Sequence, residues 1–156
     1  TTEAAKMGGE KGRKRVLDAL DYIEKHLPGS DIPGKRVFVG EYGFNLQQVD
    51  GPQMQQDCAA RIVQWSLEWG CPFVLYWELY CNEIEKATGE HRGYWHIDDQ
   101  GERQPVWYLH RGFLQKANRF VEQFKKKTGR LPPQTEYNRE AAAWWKQTDR
   151  DCPPSQ

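Results

Sequence analysis

Apolar residues recur along this chain with two different periods. Val16, Leu17, Leu20, Ile23 and Leu27 stand at helical spacing among charged residues, and Pro28-Gly29 stops the pattern, so a helix is predicted from Arg13 to Leu27. Residues 28–34 hold two prolines and two glycines and read as a loop. The period then shortens. Val37-Phe38-Val39, within residues 36–40 and ending in glycine, predicts a strand buried on both faces. After a polar loop with Asp50-Gly51-Pro52, Met54, Cys58, Ile62, Trp65 and Trp69 follow at spacings of four, four, three and four. Gly70 is suited to end that helix in the left-handed conformation, and Pro72 prevents its continuation. Residues 73–77, Phe-Val-Leu-Tyr-Trp, are the next strand. A strand, a helix and a strand in that order predict a parallel pair with a right-handed crossover.

Residues 78–102 are polar and aromatic, and exceed the roughly two to six residues of a usual βα loop. A turn is expected at Asp98-Asp99-Gln100-Gly101. Pro105 suits the first turn of a helix whose apolar stripe, Val106, Leu109, Phe113, Ala117, Phe120 and Phe124, runs to Lys127, with Gly129 as the stop. Residues 1–12 are small, polar and Gly-rich and are expected to be a flexible segment. Residues 128–156 form a carboxyl-terminal tail, with a short helix over 136–147 expected to pack outside the main unit. The predicted division is therefore 1–12, 13–127 and 128–156, without internal repeats.

Composition narrows the function. The 156 residues carry 22 Lys plus Arg against 22 Asp plus Glu, and the pI is near 6.8. That balance argues against a nucleic-acid partner, whose usual footprint is a strongly basic face. The clusters Arg13-Lys14-Arg15 and Lys125-Lys126-Lys127 read as solvated helix ends. A mean hydropathy of −0.90, without a long apolar run, predicts no membrane span. Seven Trp, seven Tyr and six Phe exceed what this hydrophilic chain needs for a core, and those between Tyr80 and Tyr94 are candidates for a binding surface. Cys58, Cys71, Cys81 and Cys152 have no metal-type spacing and read as free thiols. His91 and His96, near Asp98 and Asp99, suit no standard metal site, so neither metal nor cofactor is expected.

The candidate chemistry lies at the strand ends, because α/β folds place reactive groups at the carboxyl ends of parallel strands. Glu41 follows the first strand directly, and simple alternation puts it on the face of Val37 and Val39. Trp77 ends the neighbouring strand. A carboxylate beside an indole face suits a sugar site: the acid meets the anomeric carbon and the ring offers an apolar platform. Glu41 also reads as a surface residue capping its loop, and Trp77 reads equally as core. For Tyr42, Asn82, Glu83, Tyr94 and Trp95, a loop position supports binding, and packing of the long loop is the competing reading.

The ordered motifs Val37-Phe38-Val39-Gly40-Glu41-Tyr42-Gly43, Phe73-Val74-Leu75-Tyr76-Trp77-Glu78, Gly93-Tyr94-Trp95, Asp98-Asp99-Gln100-Gly101 and Gln104-Pro105 resemble a family. They are similar to the carboxyl-terminal part of cellulase-like glycoside hydrolases, (β/α)8 TIM barrels of the retaining clan that includes family 5. The resemblance covers residues 13–127 and implies helix six, strand seven, helix seven, strand eight and helix eight of such an α/β barrel. It implies Glu41 as the catalytic nucleophile and Trp77 as the platform for the sugar being cleaved; Tyr42, Asn82, Glu83 and Trp95 are further substrate-binding candidates by their loop positions. The implied partner is a β-linked carbohydrate, together with the amino-terminal part of the barrel. One departure is large: the family's acid/base, a Glu preceded by Asn at the end of strand four, has no counterpart here. Asn82-Glu83 follows strand eight instead. Alternation opposes a substitute role for Glu78. The chain alone is expected to be inactive and marginally folded, with open strand edges. The alternatives are an inactive carbohydrate-binding relative and a small α/β interaction domain.

Overall fold

The structure, a computed structural model, describes residues 2–148. It is an α/β arrangement, with α1 (Thr2–Met7), α2 (Gly9–His26), β1 (Val39–Tyr42), α3 (Pro52–Trp69), β2 (Val74–Tyr76), α4 (Pro105–Thr128) and α5 (Gln134–Thr148). The strands form a parallel two-stranded sheet, as the βαβ pattern predicts. Gly70 ends α3 in the left-handed conformation, and Gly129 does the same for α4. Pro105 opens α4, where a missing N–H costs nothing.

Helix α3 is the centre of the packing. It contacts α1, α2, α4, α5 and both strands, and buries Cys58, Ala59, Ile62, Val63 and Trp65. Cys58, Cys71 and Cys81 are free and buried, and burial pushes the Cys71 thiol up to about 11. Cys152 lies outside the described residues.

The structure corrects four expectations. Thr2–Met7 and the start of Gly9–His26 are helical and packed, where a loose segment is expected. Ala4 and Ala5 are buried, the Ala5 carbonyl accepts from Arg61 Nη1 at 2.8 Å, and Gly12 lets α1 approach so closely that a Cβ there would meet the Ala4 carbonyl. Alanine gives a weak hydropathy signal but a small, close-packing surface, so this contact left little trace in the apolar pattern. Helix α5 likewise does not sit outside the main unit: Ala141, Ala142 and Trp145 are buried against α3 and α4. The first strand lies later than predicted, at Val39–Tyr42, and is not covered on both faces. Val37 is buried on the helix side, whereas Phe38 is 53% exposed on the other.

The last correction concerns face. Val39 pairs with Val74 and Tyr42 with Tyr76, so three steps of β1 match two of β2. The extra residue is a bulge, which breaks strict alternation. Val37, Val39, Tyr42, Val74 and Tyr76 pack towards the helices. Gly40 and Glu41 oppose Leu75 on the other side, so Glu41 does not share a face with Val37 and Val39.

Candidate functional site

The carboxyl ends of the two strands abut. Trp77 N–H donates to the Tyr42 carbonyl at 2.8 Å, and a Cβ on Gly43 would run into the Trp77 carbonyl. Only glycine permits that approach, which brings Glu41 and Trp77 onto neighbouring strand ends. Glu41 is exposed, and Trp77 is 38% exposed. The Trp77-Glu78 peptide bond is cis.

The long segment above these ends is ordered by its own pairing. Tyr80 bridges to Ile97, Ile84 to His91 and Ile97 to Arg103. Residues 83–92 form a small hairpin: Arg92 N–H donates to the Glu83 carbonyl at 2.9 Å, and Gly89, at φ 74°, turns the chain back onto Glu85. The expected turn at Asp98–Gly101 is present, with Asp98 Oδ1 accepting from the N–H groups of Gln100 and Glu102. Buried Gln55 of α3 ties the segment down, its Nε2 donating to the carbonyls of Phe44 (2.7 Å) and Gly93 (2.6 Å).

The sequence-derived site residues divide into two groups. Glu41, Trp77, Asn82 and Glu83 lie at or above the strand ends with exposed or half-exposed side chains. Glu83 is already engaged: Oε1 accepts from Trp77 Nε1 at 3.0 Å, and Oε2 lies 3.5 Å from Arg92 Nη1. Glu78 accepts from the Asn82 N–H at 3.3 Å and so holds the start of the loop. Both carboxylates thus already carry a hydrogen-bond partner. Tyr42 is not in the open group. It is 3% exposed and points into the core, because the bulge turns it towards the helices. Trp95 packs within the loop, its ring 5.5 Å from that of His91 and its indole nitrogen buried.

Beneath the site lies a polar cluster that the apolar pattern did not announce. Tyr42 Oη is 2.6 Å from His110 Nε2, and His110 Nδ1 is 2.7 Å from the Val106 carbonyl and 2.9 Å from His96 Nε2. A carbonyl can only accept, so His110 Nδ1 carries a proton, and with the ring neutral Nε2 accepts from the tyrosine hydroxyl. His96 Nε2 also accepts, which leaves its own proton on Nδ1. This is the neutral form of both rings. Burial favours that form, lowering His110 to about 4 and, with help from neighbouring His110, His96 to about 3. Tyr76 stacks on His96 at 4.3 Å, and burial raises both tyrosines. The signal was position: His110 follows Val106 by four residues on α4, and a histidine on an apolar stripe needs a buried partner. The cluster joins β1, α4 and the long loop.

A cleft of about 1000 Å³ opens at the other ends of the strands, between Ile32, Phe38, Trp69, Phe73 and Asn138. It does not include Glu41 or Trp77. Among the described residues, no group of three or more His, Cys, Asp or Glu is placed to hold a metal, and no helix is long and apolar enough to cross a membrane. No protein family, curated protein or solved structure matches this chain.

Proposed function

We propose that this chain is the carboxyl-terminal part of a (β/α)8 barrel that cleaves a β-glycosidic bond with retention, α2, β1, α3, β2 and α4 standing as helix six to helix eight. One observation carries the reading. Among the described residues, helices cover one face of the parallel sheet, the other face is apolar and open, and Glu41 and Trp77 stand on the neighbouring strand ends where that face stops. Parallel sheets are covered on both faces in folded proteins. In a closed barrel, the open face becomes the packed interior and its carboxyl end becomes the mouth.

In this reading Glu41 attacks the anomeric carbon and displaces the leaving oxygen. A carboxylic acid from the remainder of the barrel, about 5 to 5.5 Å away, protonates that oxygen and then activates water to release the sugar. Trp77 supplies the ring on which the sugar rests. No charged clamp is needed, since the substrate is neutral. A dinitrophenyl 2-deoxy-2-fluoro-β-cellobioside tests the assignment well, because its leaving group departs without protonation. Incubated with the polypeptide that supplies the other strands, it should attach to Glu41, as read by peptide mass mapping. Attachment elsewhere, with turnover surviving Glu41→Gln, sinks the reading.

The engagement of both Glu78 and Glu83 favours a second reading, a carbohydrate-binding relative without catalysis. An Asn-Glu pair ending a strand about 90 to 140 residues before Glu41, at roughly 31 residues per βα unit, decides for the enzyme.

A further inference from the structure

Glu83 was a candidate for touching substrate, but its surroundings give it a different task. The Trp77 backbone is fixed by the Tyr42 carbonyl and by contact with Gly43. Its ring is not fixed by burial, since more than a third of the residue is exposed. What remains to hold the indole is its N–H, and that N–H donates to Glu83 Oε1 at 3.0 Å. Glu83 is itself braced. Its other oxygen faces Arg92 across the hairpin, the Arg92 N–H closes that hairpin onto the Glu83 carbonyl, and Arg92 Nη2 reaches Glu85 at 3.3 Å.

We propose that Glu83 is a positioning residue that fixes the Trp77 ring as a sugar platform, with Arg92 and the hairpin of residues 83–92 holding Glu83 in turn. The inference rests on the carbohydrate reading above and deepens it. A half-exposed tryptophan whose side-chain torsions are free loses rotamer entropy when a sugar settles on it. One held through its indole nitrogen has lost that freedom already, so the ring is pre-set to receive a pyranose face. A carboxylate is the right partner, because indole offers a donor and nothing else, and a charged acceptor strengthens the bond. The Arg92 pair, being half-exposed, adds little stability. Its contribution is direction: it turns the second oxygen away from the site.

The test uses ¹H–¹⁵N spectra of the full chain combined with the polypeptide proposed to supply the other strands, with the Trp77 indole signal assigned by its loss in Trp77→Phe, before and during titration with cellotetraose. Without sugar, Glu83→Ala should speed exchange of the Trp77 indole proton and shift its signal, while Glu83→Gln, which keeps an acceptor oxygen, should restore both. With sugar, Glu83→Ala should weaken binding about five-fold, the value of one net hydrogen bond, and Glu83→Gln should stay within about two-fold of the parent chain. A merely structural Glu83 would not be rescued in this graded way. An indole signal unmoved in Glu83→Ala overturns the clamp. Equal cellotetraose affinity in all three proteins overturns the orienting role while leaving the carbohydrate reading intact. Silence of the unsubstituted Trp77 signal to cellotetraose with the other strands present removes the orienting role together with that reading, and the exchange data alone then cannot save it.

Discussion

On the helix side of the sheet, Val37 and Tyr42 are buried, Tyr76 stacks on His96, and Tyr42, His110 and His96 are linked by hydrogen bonds. On the other side Phe38, Phe73 and Leu75 are 53%, 62% and 51% exposed, in strands of similar composition. Residue type therefore does not distinguish the faces. What differs is the partner: α3, with His110 of α4, covers one face, and no described element covers the other. The covered face should behave as the interior of a folded domain and the open face as one half of an interface.

The sharpest way to break that contrast is to damage the covered side. Trp145 is 2% exposed and stacks on Phe113 at 4.7 Å, with its edge towards His110. Trp145→Ala should cost about 3 to 5 kcal/mol in urea unfolding, the usual consequence of emptying a large aromatic site. A loss below about 1 kcal/mol would mean that α5 is not part of the core.

Next in size is acid. His110 and His96 are neutral when folded and take up protons at ordinary values when unfolded. Between pH 6.5 and about 4 the unfolded chain thus binds more protons, so stability is full above 6.5 and falls as the pH drops through that window. For His110 the loss is on the order of 3 kcal/mol. His110→Gln should be less stable than the parent chain at pH 7, and the gap should narrow by pH 4.5. A gap constant with pH would show that the ring is not held neutral by its surroundings.

The junction of the two faces is finer still. Gly43→Ala places a methyl against the Trp77 carbonyl and should cost about 1 to 3 kcal/mol, the range for overpacking. It should also move the Trp77 fluorescence. Unchanged emission would show that the strand end gives way without disturbing the indole.

These residues also show what the sequence could convey. The helix over 52–69 and its glycine stop were legible because apolar spacing and left-handed capping are local properties. The parallel pairing followed from element order. The bulge was not legible: it is a mismatch between two strands, which neither shows alone, and it reverses the side on which Glu41 and Tyr42 lie. The same limit hid the Glu83–Arg92 brace, since a carboxylate in a loop reads as free until the hairpin returns its partner nine residues later. Exposure of Phe38 escaped for a different reason. An apolar strand announces that it will be covered, but not whether the covering residues belong to the same stretch of chain.

That last point yields the smallest expected change in stability. Phe73 and Leu75 lie on the open face, and Phe73 touches Phe38 edge-on at 6.2 Å. Truncating an exposed side chain removes little buried area, so Phe73→Ser and Leu75→Ser should each shift the urea midpoint of this chain by no more than about 0.5 kcal/mol. Association should respond far more. An open apolar face with free strand edges draws chains together, and the serine variants should remain monomeric at concentrations where the parent chain forms larger species in light scattering. In the proposed barrel the order should reverse, because the same side chains would line a closed interior, and each serine should then cost about 2 to 5 kcal/mol. Equal and small effects in both settings would mean that the open face is an ordinary surface, and the barrel assignment would fall with it.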